Sequence, residues 1–549
     1  MSADTYSRNN LQDKVLQQDY DALVIGAGHN GLVSAAYLAQ AGLKVLVVER
    51  RPGIGGAAAT EQVFPGARFN TGALDAGLFL PQVVADLKLE SYGIKYLDSP
   101  VVVYAPQPDG RAVTLWRDRQ RAAREIAAFS EHDAETYPRF LDWIDRLTGA
   151  LDEIRTLTPP SLPHYRLGEL APWLRVGLKV RRLGDREMME FLRLLPLSVK
   201  EFLDAWFENP ALKAALGFTG CAGSMQGPFA SGTAFNLLYH AIGAGEAGFR
   251  ASRFVQGGAG ALSQALAQSA RSYGAEICTG LGVQAILLED NRAVGARLEN
   301  GQRLKARLVV SSADPRHTFF DLIGASHLPV RFARQVKNIK FRGSTARLNL
   351  VLDSLPQFTS LDKLSSAEQV QSVLSGHILL CPDLESLERA YDDAKYGRIS
   401  SRPCLDLVIP TLLDPALSSQ GQHLMSIDVR YAPYHLQGQT WDQAGPVLVE
   451  QVMAAIDAYA PGFGDSILEQ QLITPLDYER QYGLAEGSLY HGQMGLDQLL
   501  FMRPVAGYGR YRTPVGNLFL CGSGAHPGGG LTGAPGYNAA REILKSKSG

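Results

Sequence analysis

Cysteine is scarce and scattered in this chain. Its five residues, Cys221, Cys278, Cys381, Cys404 and Cys521, are odd in number and never form a C-x-x-C pair. That pattern speaks against a disulfide framework, a zinc cluster and dithiol redox chemistry, and it suits a reducing compartment. An excess of one charge is lacking too: the net charge is −2, so no overall field favours nucleic acid, and nucleic-acid binding is not expected. No segment sustains the roughly 20 apolar residues needed to span a bilayer. Residues 1–18 are polar, lack the apolar core of a secretory signal and read as a mobile leader. The expected location is cytoplasmic, with room for a peripheral contact on a membrane. No Ser-His-Asp arrangement or metal-ligand spacing stands out, so hydrolysis and metal catalysis are not expected.

What is present is glycine, in blocks. The first block runs Asp21-Ala-Leu-Val-Ile-Gly-Ala-Gly-His-Asn-Gly31, continues through an amphipathic stretch to Gly42, and ends in Lys44-Val-Leu-Val-Val-Glu49. Each part suits a dinucleotide. Residues 22–25 read as a buried strand, Gly26 turns the chain, Gly28 leaves room for a pyrophosphate, and Gly31 lets a helix from about 30 to 40 pack close. That helix directs free N–H groups and its positive end at phosphate. Glu49, at the end of the second strand, is placed to accept hydrogen bonds from an adenosine ribose and to repel a 2′-phosphate. A lone G-x-G-x-x-G is a weak signal, but here strand, turn, helix, strand and acidic residue all occur in order.

Two further blocks lie downstream of Arg51-Pro-Gly-Ile-Gly-Gly-Ala-Ala-Ala-Thr60 and Asn70-Thr-Gly-Ala73. Residues 254–263 lead into a helix to about 273, followed by short strands near 276–279, 284–288, 293–299 and 308–314. The last block, residues 517–540, reads as a strand ending at Cys521, an open loop, and a helix from about 533 to 544 whose N-terminus offers donors to an electron-rich ring. No strand or acidic residue is read after it, so it is not a second nucleotide site. One dinucleotide gripped from three distant parts of the chain reads as FAD. The predicted fold is α/β: a Rossmann-type FAD-binding domain from 19–89, 251–330 and 505–549, with an α+β substrate domain inserted as 90–250 and 331–504.

With those blocks in view the chain resembles the phytoene desaturase-like flavoproteins, distant relatives of the monoamine oxidases. More narrowly, it is similar to the branch of desaturase-type β-carotene ketolases and proteins named for a pyridine nucleotide-disulfide oxidoreductase domain. The residues that carry the resemblance are Gly26–Gly31, Gly55–Thr60, Gly257–Gly260, Tyr490-His-Gly-Gln-Met-Gly-Leu-Asp-Gln-Leu-Leu-Phe-Met-Arg-Pro504 and Gly522–Gly530. The resemblance implies an amine-oxidase-like fold with FAD held at Gly26, Gly28, Gly31, Glu49, Gly56, Ala57, Val283, Gly522, Leu531 and Thr532. Ala57 stands where amine oxidases carry a basic residue, which weakens a carry-over from amine oxidation.

The implied chemistry is hydride abstraction from a hydrophobic substrate, a carotenoid or other isoprenoid, giving desaturation or ketolation, with electrons passed to oxygen or a quinone. The alternatives are an oxidase of amines or other polar small molecules, and a flavin-bearing binding or assembly protein without turnover. An apolar substrate calls for a dry channel with few charges. Residues 202–207 and 229–242 are candidates to line it, or to fill the core. His526, in the last glycine loop, and His491 are the candidate catalytic residues, His526 as a proton relay or as a loop-shaping hydrogen bond. His491 and Arg503 are read either as orienting a polar substrate end or as pairing with Asp497, pairing being preferred. His29 is expected to bond nearby backbone. Residues 173–186 place Arg175, Lys179, Arg182 and Arg186 beside Trp173, Val176, Val180 and Leu183, a pattern suited either to anionic lipid or to a helix lying over the core.

Overall fold

The computed structural model describes residues 18–161, 167–245, 248–362, 364 and 366–547. Of the expected leader, all but Gln18 lies outside the described residues. Two seven-stranded sheets organise the chain.

The first sheet runs, in spatial order, 283–289, 292–298, 303–311, 20–25, 45–49 and 276–279, with 518–520 pairing on 303–311. Its centre is parallel, with Val24 between Val310 and Val47. These strands are runs of Val, Leu and Ala because both faces are covered, as parallel sheets require. The helix His29–Gln40 packs on it, flanked by the helices Ala259–Ser272 and Ala534–Lys547. The last approach is very close. A Cβ on Gly536 would lie 2.2 Å from the Asn30 carbonyl oxygen, and Ser34 Oγ donates to the Gly536 carbonyl at 2.7 Å. Stretches from the start, middle and end of the chain thus meet in one layer. The strand expected to end at 314 ends at Ser311 instead, because Ser312 turns its hydroxyl back to donate to the Ile25 and Gly26 carbonyls.

The second sheet runs 467–473, 345–352, 423–430, 405–408, 377–380, 101–106 and 112–116. Helices from residues 119–151 and 185–241 share a large core with it. Phe202 and Phe207 lie in that core against Phe140, with ring centroids 5.8 and 5.0 Å apart, so of the two readings for residues 202–207 the packed one holds at these two rings.

The helix Leu167–Arg182 decides between the two readings of its apolar stripe. Val176 and Val180 are buried against the protein, and Trp173 Nε1 donates to the Thr158 carbonyl at 3.0 Å. The named stripe therefore faces the core, as three-and-four spacing on a covering helix dictates. The exposed apolar residues are others: Leu174, Leu178 and, on the next helix, Met189 and Leu192, each at least half exposed.

Candidate active site

Two hollows meet along the first sheet's carboxyl edge. The outer cleft, of ≈ 200 Å³, is lined by Gly26, Gly28, Glu49, Gly56, Val283 and the 482–491 segment, among others. The inner cavity, of ≈ 170 Å³, lies toward the second sheet. His29, Ala57 and Leu489 line both, so the cleft continues into the cavity.

The cleft is shaped by glycine. Gly26 has φ +91°, and a Cβ there would meet Ser312 Oγ at 2.5 Å. A Cβ on Gly31 would sit 2.2 Å from the Gly26 carbonyl oxygen, whereas one on Gly28 meets nothing within 4 Å: it would project into the space the cleft keeps open. Gly55 N donates to the Ala27 carbonyl at 2.8 Å, which docks the second glycine loop on the first. Glu49 is more than a ribose candidate. Its two carboxylate oxygens accept from Ala27 N and Arg51 N, each at 2.8 Å, so it also braces the turn while each oxygen keeps a further acceptor position.

Four cleft-lining residues bury polar atoms with no hydrogen-bond partner: His29 Nε2, Asn30 Oδ1, Arg51 Nη1 and His491 Nδ1. Unpaired buried polar groups are costly, and a ligand rich in phosphate, hydroxyl and ring nitrogen would satisfy them. Burial holds the His29 imidazole down at about 4, and burial with the nearby Arg503 and His29 holds that of His491 at about 3. Both are neutral at neutral pH. His491 has φ +53°, a left-handed conformation uncommon outside glycine, held here by packing around the site.

Of the residues expected at the cofactor, Gly26, Gly28, Glu49, Gly56, Ala57 and Val283 line the cleft, Leu531 lines the inner cavity, and Gly31, Gly522 and Thr532 lie behind the surface. Gly522 packs on the Ser312 backbone, where a Cβ would meet the carbonyl oxygen at 2.3 Å. The fully buried Thr532 accepts from Ala534 N at 3.2 Å. The two candidate catalytic histidines separate: His491 lines the cleft, but His526 lines neither hollow. His526 Nε2 donates to the Ile154 carbonyl at 2.9 Å and its ring lies 6.2 Å from Trp173. Burial lowers it to about 4, so the structure gives it the loop-shaping bond.

The preferred pairing of Arg503 with Asp497 is corrected. Arg503 is buried and donates to the carbonyls of Tyr490, Gly492, Gln493, Gln498 and Ser523. Asp497 points outward and pairs with Lys340 at 2.7 Å. A guanidinium with five donors suits a knot of backbone oxygens that one carboxylate could not satisfy.

The inner cavity departs from the expected apolar channel. Asp75, Thr219, His240, Arg250, Asp406, Asp428, Arg430 and Tyr490 all line it. Arg250 pairs with Asp406 at 2.8 Å, and Asp428 with Arg347 at 2.7 Å. His377 joins Asp406 through Nδ1 at 2.7 Å and Asp75 through Nε2 at 3.0 Å. Burial and Arg250 oppose its charge, yet the two carboxylates prevail and raise its pKa. Of the 229–242 segment, His240 reaches this cavity, while Phe235, Leu238, Tyr239 and Ile242 line a smaller apolar one of ≈ 30 Å³. The sequence held a signal for this polar set. Asp406 interrupts Leu-Asp-Leu-Val, and Asp428 and Arg430 flank Val429, on strands otherwise apolar enough to be central.

A glycine-lined cleft continuous with a second, polar cavity is the arrangement expected of a flavin-dependent oxidoreductase. Residues 31–360 match the family described as flavin containing amine oxidoreductase, and the chain belongs to that family. It is 38% identical over 547 residues to the rat protein named pyridine nucleotide-disulfide oxidoreductase domain-containing protein 2, covering 96% of this chain and 94% of that one. It is 29% identical to a limonene dehydrogenase subunit of Castellaniella defragrans, with the same coverage. In fold it is similar to a putrescine oxidase, with a TM-score of 0.58 at 15% identity over 97% of this chain and 99% of that one. The protein is an FAD-dependent oxidoreductase. No helix among the described residues is long and apolar enough to cross a membrane.

Proposed function

We propose that the protein dehydrogenates an organic molecule whose polar end is seated in the inner cavity, with FAD held in the outer cleft by Gly26, Gly28, Glu49, Gly56, Ala57 and Val283. Bound FAD supplies a two-electron acceptor for hydride and passes the pair to oxygen or a quinone. The chain's own part is to bind, orient and dry the substrate. The single observation that carries this reading is the continuity of the two hollows at His29, Ala57 and Leu489, which lets a molecule in the cavity abut the end of the cleft.

Two substrate classes have support. The kinship with a limonene dehydrogenase favours carbon–carbon dehydrogenation of an isoprenoid. The ionised lining favours a molecule with a polar end, and it is this second class that the geometry supports best. A wall carrying Asp75, Arg250, Asp406, Asp428 and Arg430 is a poor match to a carotenoid polyene that is hydrocarbon throughout. Anaerobic mixing with limonene, putrescine, long polyenes and small carboxylic acids tests the reading through bleaching of the flavin absorbance. Bleaching by a compound with a polar end is expected, and bleaching by hydrocarbon polyenes alone would overturn the polar-substrate reading.

A lipid contact is also proposed, through Leu174, Leu178, Met189 and Leu192, which stand exposed on helices that carry Arg175, Arg181, Arg182 and Arg186.

A further inference from the structure

We infer that the inner cavity recognises a carboxylate on its substrate through the guanidinium of Arg430. This rests on reading the cavity as the substrate site, and it adds the charge of the substrate to that reading.

The charge inventory of the cavity leaves one group over. Asp406 has Arg250 and His377, Asp75 has His377, and Asp428 has Arg347. Each carboxylate on the wall thus already has a basic hydrogen-bond partner, His377 serving two of them. Arg430 is not matched. It is 8% exposed, its buried Nε lacks a hydrogen-bond partner, and it forms no ion pair among the described residues. Its guanidinium carbon lies over the face of Phe218, 4.8 Å from the ring centroid. A ring face compensates a buried charge far less fully than a carboxylate does.

Two more polar atoms on the same wall lack partners, Thr219 Oγ1 and His240 Nε2. His240 is held down at about 3 by burial and by Arg250 and Arg430, so it is neutral and offers hydrogen bonding without charge. One uncommitted cation with two neutral polar groups balances a single negative charge. A phosphate, near −2 at neutral pH, would need a second free cation, and Arg250 is already bound to Asp406. An amine would find only carboxylates that already bond to a basic side chain, such as Asp428, whose Oδ1 takes both Arg347 bonds, and it would lie beside the Arg430 cation. A guanidinium matches the two oxygens of a carboxylate in a planar, bidentate fashion.

The test is calorimetric titration of the FAD-loaded enzyme with benzoate, benzamide and benzylamine, three rings of one size and different charge. Benzoate is expected to bind at least tenfold more tightly than benzamide, with benzylamine weakest. In Arg430→Met, which keeps an unbranched apolar side chain and removes the charge, benzoate affinity is expected to fall roughly ten- to hundredfold while benzamide is unchanged. In Thr219→Val a smaller loss is expected. The ratio of benzoate to benzamide in the unaltered enzyme carries the test even if Arg430→Met fails to fold. A preference for benzylamine, no detectable benzoate binding at millimolar concentration, or equal benzoate affinity in a folded Arg430→Met protein overturns the inference. Calorimetry reads the anion whether or not flavin responds. A protein that takes up no FAD, or whose flavin spectrum ignores bound benzoate, overturns the substrate-site reading separately.

Discussion

Arg347 and Asp428 face each other as direct partners on adjacent strands of the second sheet, with Arg347 Nε and Nη2 donating to Asp428 Oδ1 at 2.8 and 2.7 Å. The same guanidinium donates to the Asn70 and Gly72 carbonyls at 3.1 and 2.9 Å. One fully buried side chain therefore ties the second sheet to the loop at Asn70 and Gly72.

Removing that arginine strands a carboxylate on the cavity wall and frees two carbonyls. Arg347→Met is expected to lower stability by about 3 to 5 kcal/mol, read as a fall in melting temperature and in denaturant midpoint. The double variant Arg347→Met, Asp428→Asn is expected to lose less than the sum of the two single changes, because the stranded charge is gone.

Gly28 and Gly31 are expected to behave oppositely. Gly28 has φ −67°, which alanine adopts without strain, and its Cβ would meet nothing within 4 Å. Gly28→Ala should therefore keep the melting temperature of the apoprotein while weakening FAD binding tenfold or more, since the methyl occupies the space left for phosphate. In Gly31→Ala the methyl would lie 2.2 Å from the Gly26 carbonyl, so both apoprotein stability and FAD binding should fall. Differential scanning of the apoprotein and fluorescence titration with FAD separate the two.

The glycine-lined cleft was legible because its shape is written in local sequence. Gly26, Gly28 and Glu49 take their roles from backbone reach over a contiguous stretch, and contiguous spacing is what a sequence displays. The cavity was not legible in the same way. Asp75, Arg250, Asp406 and Arg430 come from four separate segments: the pairing of strands 377–380, 405–408 and 423–430 sets His377, Asp406 and Arg430 side by side, and Asp75 and Arg250 join them from loops through His377 and Asp406. His526 shows the converse. A histidine in a glycine-rich loop invites a catalytic reading, yet its partner, Ile154, is 372 residues away and nothing local announces it.

Stability should decline as pH falls below the ordinary histidine value of 6.5. His29, His240, His491 and His526 are buried and neutral, lowered to about 4, 3, 3 and 4. Between those values and 6.5 the unfolded chain binds protons that the folded chain does not, so unfolding gains about 1.4 kcal/mol per pH unit for each such histidine. His377 has the opposite sign: its raised value adds stability that is full below 6.5 and lost as pH rises through its folded value. Denaturant titrations across pH 4.5 to 8 should therefore show an acid-side slope reduced in His240→Phe, and an alkaline-side loss reduced in His377→Gln.

Leu174 is 64% exposed and Leu178 51%, on the helix that ends in Arg181 and Arg182. Co-sedimentation with phosphatidylserine vesicles is expected, weaker with phosphatidylcholine and weakened by salt. Leu174→Glu with Leu178→Glu should abolish it without changing the melting temperature, because neither side chain belongs to a core.

Arg503 and Asp497 give the sharpest contrast between a buried and an exposed charge. Arg503 is 2% exposed, is lowered by burial to about 10, and spends its donors on five backbone carbonyls that include Tyr490 and Gly492, either side of His491. Lysine in its place has three donors on a flexible stem and cannot span that knot. Arg503→Lys is expected to cost about 3 kcal/mol and to loosen FAD, because the left-handed His491 beside the cleft loses the carbonyl contacts that fix its neighbours. Asp497→Asn breaks only an exposed pair with Lys340, with side chains 53% and 43% exposed, and is expected to cost at most about 1 kcal/mol. Were Asp497 the partner of Arg503, the two variants would be equally damaging, so melting temperature and bound-FAD content measured side by side decide the matter.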